Sequence, residues 1–113
     1  MYIINRSIAI IRPKQPFLAW ILSVEDDVGV TLEELRNDAN VLLIPEYDSQ
    51  EDALEYIYTN YENIFEMELE DWYTVEECWP ENRSLKFFKE WFDVEIHQMI
   101  IDTVDGFIEK EEV

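Results

Sequence analysis

The chain has 113 residues, of which 27 are acidic and 8 are Lys or Arg, so its formal net charge is −19 at neutral pH. This charge argues against nucleic acid and anionic membranes as direct partners, since both are polyanions. No apolar run approaches the ~20 residues of a membrane span, and the single cysteine excludes an internal disulfide. At this length we expect one domain, residues 1–113. We expect it in the cytoplasm, because the N-terminus also lacks the layout of a signal peptide.

The negative charge is concentrated in the middle of the chain. Between Asn37 and Asn82 there are fourteen acidic residues and no Lys or Arg, and many of the other residues are apolar or aromatic. A segment this rich in apolar side chains can offset the entropy cost of folding, unlike a disordered acidic tail. The charge should therefore lie on a folded surface that either keeps the protein soluble or binds a positively charged partner.

The N-terminal half is predicted to contain two strands and two short helices. Residues 7–12 contain three isoleucines, which are β-branched, and predict a strand that stops at Pro13. Residues 17–23, which follow a proline, predict a helix. Thr31 begins a capping box, so a second helix should cover residues 32–37. The continuous apolar run 41–44 predicts a strand that is buried on both faces or lies at the centre of the sheet.

The C-terminal half is predicted to be mainly helical. The longest helix begins after Ser49, and Asn60 and Asn63 mark points where it can break in two. Its apolar residues recur at helical spacing over about five turns; they are Leu54, Ile57, Tyr58, Tyr61, Ile64, Phe65, Leu69 and Trp72. Ser84 caps a short aromatic helix, and residues 94–101 predict a third strand.

The predicted order of elements is β-α-α-β-α-α-β. Strands separated by helices indicate a small sheet of about three strands with helices packed on it. We therefore expect a small two-layer domain of the α+β or α/β class, with the strand order left open.

Seven carboxylates on the long helix and in the turn before it are the candidate partner-binding residues: Asp48, Glu51, Asp52, Glu55, Glu62, Glu66 and Glu70. The first four surround the helix N-terminus, where the helix dipole stabilises an anion by roughly 0.3–1 kcal/mol. The last three follow at i, i+4 and i+8, where like charges destabilise a helix. Helix stability does not explain those three, which should project to solvent together, either as a solvated face or as a binding surface.

A carboxylate-based enzyme or metal-binding protein is the alternative, and it would use Glu62, Glu66 and Glu70 with His97. Glu95 lies on the same strand face as His97 and could orient it as a general base. However, a di-iron bundle needs two Glu-x-x-His pairs and a calcium loop needs a glycine at its bend, and neither pattern is present. We expect no catalytic residue, no metal site and no cofactor.

The aromatic helix 84–92 has little polar surface; its apolar residues are Leu85, Phe87, Phe88, Trp91 and Phe92. Such a helix is either enclosed between the long helix and the sheet or exposed on one side as a contact with a partner. We favour enclosure, with a homodimer contact through this helix as the second possibility.

Three segments carry a resemblance to a known family: Leu43-Ile44-Pro45-Glu46-Tyr47-Asp48, with the acidic helix after it, Trp79-Pro80-Glu81-Asn82-Arg83, and Trp91-Phe92-Asp93-Val94-Glu95. Over most of its length the chain resembles a family of short acidic bacterial proteins with no assigned function. The resemblance implies a bacterial cytoplasmic protein and assigns no site residue.

These patterns together predict a non-enzymatic binding or adaptor protein. Its acidic helix face, residues 48–71, would meet a basic protein surface and could do so as a mimic of nucleic acid. The other interpretation of the same face is that its charge serves solubility alone.

Overall fold

Five strands and five helices form an α+β domain, so the predicted class is confirmed. The structure, a computed structural model, describes residues 1–113. The strands are β1 (Tyr2–Ile3), β2 (Arg6–Pro13), β3 (Asn40–Pro45), β4 (Phe92–His97) and β5 (Ile101–Asp102). The helices are α1 (Gln15–Val24), α2 (Leu32–Asn37), α3 (Gln50–Thr59), α4 (Tyr61–Glu70) and α5 (Leu85–Trp91). None of these helices is long and apolar enough to cross a membrane.

The main sheet has three antiparallel strands in the order β3-β2-β4. Side chains alternate along the central strand β2, so that every second residue is buried; these buried residues are Ser7, Ala9, Ile11 and Pro13. On the opposite face Ile8 lies beside Leu43 and Ile10 lies beside Val41, and these four side chains are only partly covered. The helices therefore pack on one face of the sheet and leave the other open.

The prediction that the run 41–44 is buried on both faces or central was wrong. The segment forms β3, which is an edge strand. Val41 and Leu43 are 56% and 50% exposed, and Ile44 is buried. A continuous apolar run does not distinguish a strand covered on both faces from one whose second face is open, because both patterns contain the same residues.

The prediction of one strand over residues 94–101 was also wrong. β4 ends at His97, and β5 begins at Ile101 and pairs with β1 in a separate two-stranded ribbon. In this ribbon Ile101 lies opposite Ile3, and the backbone amide of Ile4 donates a hydrogen bond of 3.0 Å to the carbonyl of Ile100. The predicted strand is therefore divided in two, because β4 pairs within the three-stranded sheet whereas β5 pairs with β1 outside it.

The predicted long helix is two helices, and the break lies at Asn60 as the sequence allows. The backbone amide of Asn60 donates to the carbonyls of Tyr56 and Ile57, and its side-chain Nδ2 donates to the same Tyr56 carbonyl at 2.8 Å. These hydrogen bonds satisfy the free carbonyls at the end of α3, so α4 starts as a separate helix at Tyr61. The side-chain oxygens of Thr31, Ser49 and Ser84 cap α2, α3 and α5 as predicted.

The hydrophobic core lies between the covered face of the sheet and the five helices, each of which contributes at least one buried residue. Phe17, Phe65 and Phe88 are fully buried there, and the ring of Phe65 lies 5.5 Å from those of Trp91 and Phe92. Helix α5 contacts α1 and α4. Phe88 and Trp91 are buried, and Leu85 and Phe87 are half-buried, so the aromatic side of the helix is largely covered. A homodimer contact through residues 84–92 stays a prediction, and none of the large apolar residues of α5 is fully exposed.

Candidate functional site

The seven carboxylates predicted to bind a partner are all exposed; we call Asp48, Glu51, Asp52, Glu55, Glu62, Glu66 and Glu70 the acidic surface. Asp48 precedes α3, the next three residues lie on α3, and the last three lie on α4. The expected exposure of Glu62, Glu66 and Glu70 is therefore confirmed. They project from the flank of α4, whose other side buries Phe65 and Leu69 in the core.

The break between α3 and α4 divides the acidic surface into two parts, each beside a surface groove. One groove is lined by Tyr47, Asp52, Glu55 and Tyr56, among others. The other is lined by Glu62, Glu66, Glu81 and Arg83. The Arg83 guanidinium donates to the carbonyl of Pro80 at 2.7 Å and forms no ion pair with these carboxylates. A partner would thus meet two acidic clusters rather than one continuous stripe.

No member of the acidic surface takes part in an ion pair. All four ion pairs of the protein involve Asp93 or Glu95 on β4. Their basic partners include Arg12 at 3.4 Å from Glu95, and Lys14 and Arg36 at 3.9 Å and 3.0 Å from Asp93. The basic side chains that lie within ion-pairing distance of a carboxylate therefore all act on β4, and none of them pairs with the acidic surface.

His97 and Glu95 form a hydrogen-bonded pair on the open face of the sheet, as their spacing predicts. His97 Nε2 lies 2.9 Å from Glu95 Oε2. This hydrogen bond lowers the pKa of Glu95. Partial desolvation raises that pKa, whereas the hydrogen bond and the charge of Arg12 lower it further. Both side chains are exposed, and no nucleophile accompanies them.

The structure does not bring His97 together with Glu62, Glu66 and Glu70. Helix α4 packs on the covered face of the sheet, whereas His97 lies on the open face, where it is paired across β2 with Ile8. The alternative site built from these four residues is therefore not formed. No group of three or more His, Cys, Asp or Glu side chains has an arrangement that could hold a metal ion.

A cavity of about 600 Å³ lies between α2 and the C-terminal end of α4. Its apolar lining consists of Val30, Leu35, Ala39 and Trp72, together with Pro13, and its acidic lining consists of Glu34, Asp38, Glu68 and Asp71. Its volume falls within the range of about 300–1,000 Å³ that is usual for small-molecule sites. It combines an apolar wall with converging polar groups.

Glu68 is the buried carboxyl group of this cavity and is only 3% exposed. Asn40 Nδ2 donates to Glu68 Oε1 at 3.0 Å and to Asp71 Oδ2 at 3.0 Å. Burial raises the pKa of Glu68 to about 7; the charge of Asp71 acts in the same direction and the Asn40 hydrogen bond opposes it. Glu68 Oε2 accepts no hydrogen bond from the protein, and because no buried side-chain oxygen lacks a partner, this atom keeps some exposure to solvent.

Glu68 is absent from the residues that the sequence predicts for a site, although a signal for it exists. At about 100° per residue, Glu68 falls between Ile64 and Trp72 on the apolar stripe of the helix. An acid in the middle of an apolar stripe is either paired or protonated when the helix packs. Asn40, which pairs with it, lies 28 residues earlier, so no local pattern predicts the contact.

Comparison with known proteins gave no match to a protein-family model and no significant match to a curated protein or a solved structure. The resemblance to short acidic bacterial proteins stays a prediction.

Proposed function

We propose that this protein is a non-enzymatic binding or adaptor protein whose acidic surface binds a basic surface on a protein partner. The observation that carries this proposal is that all seven carboxylates of the acidic surface are exposed and none is in an ion pair. Two of them, Glu66 and Glu70, lie toward the C-terminal end of α4, where the helix dipole disfavours anions. Their charges are therefore available to a partner and do not serve the helix that carries them.

A surface of this kind acts mainly on the rate and orientation of binding. Opposite electrostatic fields raise association rates by roughly 10–10³-fold, and the effect falls as salt screens the charges. Seven carboxylates in two clusters would suit a partner that carries Lys and Arg on a broad surface, such as the nucleic-acid site of a DNA-binding protein. The location that we propose is the bacterial cytoplasm, in keeping with the resemblance and with the single free cysteine.

The decisive experiment is capture of partners by the immobilised protein and by two charge-matched variants. The first variant changes Glu62, Glu66 and Glu70 to Gln. The control changes Glu109, Glu111 and Glu112 to Gln, which removes the same charge from an exposed segment without helix or strand. Captured proteins are identified by mass spectrometry, and the association rate of the main one is measured at 0.05 M and 0.3 M NaCl.

We expect the captured proteins to be basic, to elute as salt is raised, and to bind the α4 variant with a slower association rate. The control variant should bind like the unchanged protein. Equal loss of binding in both variants would mean that net charge alone attracts the partner, and would overturn the proposal of a defined surface. Competition by added duplex DNA would show that the partner uses its nucleic-acid site, which is the outcome expected of a nucleic-acid mimic.

A further inference from the structure

The cavity beside Glu68 has features that a solvated acidic face does not have. Glu68 lines the cavity and is 3% exposed, its Oε1 is held by Asn40, and its Oε2 accepts no hydrogen bond from the protein. Burying a carboxyl group without a full set of partners costs stability, because the group loses its hydration. A ligand that bonds Oε2 and supplies positive charge would remove this cost.

The charges around the cavity define the ligand further. Glu34 and Asp38 face it from α2 and the turn after it, and Asp71 faces it from the end of α4. No Lys or Arg lines it. The nearest basic residue of α2, Arg36, directs its guanidinium to Asp93 and to the carbonyl of Pro13. An anion would be repelled by this set of carboxylates, whereas a cation would be attracted.

The apolar wall distinguishes an organic cation from a metal ion. Trp72, Leu35 and Val30 line the same cavity as the carboxylates. An indole ring attracts an ammonium or guanidinium group through its face and also packs against an apolar body. The carboxylates themselves do not form a set that could coordinate a metal.

We propose that the cavity between α2 and α4 binds an organic cation, with Glu68 as its counter-ion and Trp72 as the wall for its apolar or planar body. The cation is an ammonium or guanidinium group, carried either by a free small molecule or by a Lys or Arg side chain of a protein partner. Binding ionises Glu68, so a proton leaves the carboxyl group when the cation enters.

Benzamidine is a suitable probe, because it joins a cationic amidinium to a planar ring, and benzamide is its neutral isostere. Titration calorimetry at 0.15 M NaCl would compare the unchanged protein with the variants E68Q and E90Q. Both variants remove one charge from a helix, but Glu90 is exposed on α5, lies outside the acidic surface and does not line the cavity. Circular dichroism establishes that each variant is folded, and D71N provides a second change within the cavity.

We expect benzamidine to bind the unchanged protein and E90Q with affinities within twofold of each other. Binding to E68Q should be at least tenfold weaker, binding to D71N should be weaker too, and benzamide should not bind. Between pH 6 and pH 8 the affinity of the unchanged protein should rise about tenfold, since binding requires ionised Glu68, and at pH 6 binding should release a proton. Equal binding to E68Q and the unchanged protein, or equal loss in E68Q and E90Q, would overturn the site.

A second measurement identifies the source of the cation and depends on the function proposed above. If E68Q also weakens capture of the basic partner, the cation is a side chain of that partner. If capture is unchanged while benzamidine binding is lost, the site serves a free small molecule. Failure of the acidic surface to capture any partner would leave the benzamidine result intact, so the two proposals fail separately.

Discussion

At the scale of single residues, the carboxyl group of Glu68 lowers the stability of the fold and also provides the counter-ion of the proposed cation site. Its carboxyl group is buried on the apolar side of α4, and its pKa is raised from 4.5 to about 7, chiefly by that burial. The folded state therefore binds a proton more tightly than the unfolded state does. Below pH 4.5 both states are protonated and Glu68 costs nothing; as pH rises toward 7 the unfolded state alone ionises, and stability falls.

The change Glu68→Gln should therefore make the protein less sensitive to pH. A pKa difference from 4.5 to about 7 corresponds to about 3 kcal/mol of stability that the unchanged protein has lost by pH 8. Gln keeps an oxygen for Asn40 and carries no charge, so the variant should gain up to about 3 kcal/mol at pH 8 and little at pH 4. Urea unfolding across this pH range measures the difference between the two proteins.

The comparison has a matched control in Glu70→Gln, which removes the same charge from an exposed position two residues away. Its stability should follow the pH dependence of the unchanged protein. Parallel loss of stability in E68Q and the unchanged protein between pH 5 and pH 8 would contradict the prediction. It would mean that Glu68 is ionised over this whole range and that groups other than Asn40 stabilise its charge.

At the scale of elements, the local signals in the sequence predict helix ends well and the surroundings of strands poorly. The three N-caps involve contacts between residues three apart, so Thr31, Ser49 and Ser84 are visible in any window of the chain. The open face of β3 and the pairing of β1 with β5 depend on residues far away in sequence. The same limit applies to the candidate sites: the exposure of the acidic surface follows from helical periodicity, whereas the cavity requires α2, β3 and α4 to meet.

Helix α4 should become more stable when its acidic side is neutralised. Glu62, Glu66 and Glu70 are spaced at i and i+4 and all face solvent. Like charges at this spacing destabilise a helix by about 0.2–0.5 kcal/mol per pair, and the last two also oppose the helix dipole. The triple change to Gln should therefore raise the free energy of unfolding by roughly 0.5–1 kcal/mol. Urea midpoints at 0.05 M NaCl measure this gain.

The variant with Glu109, Glu111 and Glu112 changed to Gln is again the control, since these residues lie outside every helix and strand. It should stabilise the protein less than the α4 variant. An α4 variant that unfolds would mean that the three carboxylates are held by partners within the fold. A stabilised variant that still captures the basic partner at the original rate would assign the charge to solubility alone.

At the scale of the whole molecule, the balance of charge is the dominant feature. The domain measures 44 × 28 × 26 Å and carries a net charge of −19. Its four ion pairs are confined to Asp93 and Glu95, so most carboxylates are in no ion pair. Mutual repulsion among them acts on the compact state more than on the expanded unfolded chain, because the charges are closer together when the protein is folded.

Moderate salt should therefore stabilise the protein. The screening length falls from about 30 Å at 0.01 M ionic strength to about 10 Å at 0.1 M, that is, from the size of the domain to the distance between neighbouring side chains. Over this range repulsion across the molecule is removed, while the ion pairs on β4, which are in contact, are weakened less. The urea midpoint should rise with NaCl and equally with KCl, and sulfate is avoided because it strengthens apolar burial by itself. A midpoint that stays flat or falls would mean that attraction between opposite charges balances repulsion between like charges in the fold. With only eight basic residues, that balance would require some of them to pair with the acidic surface.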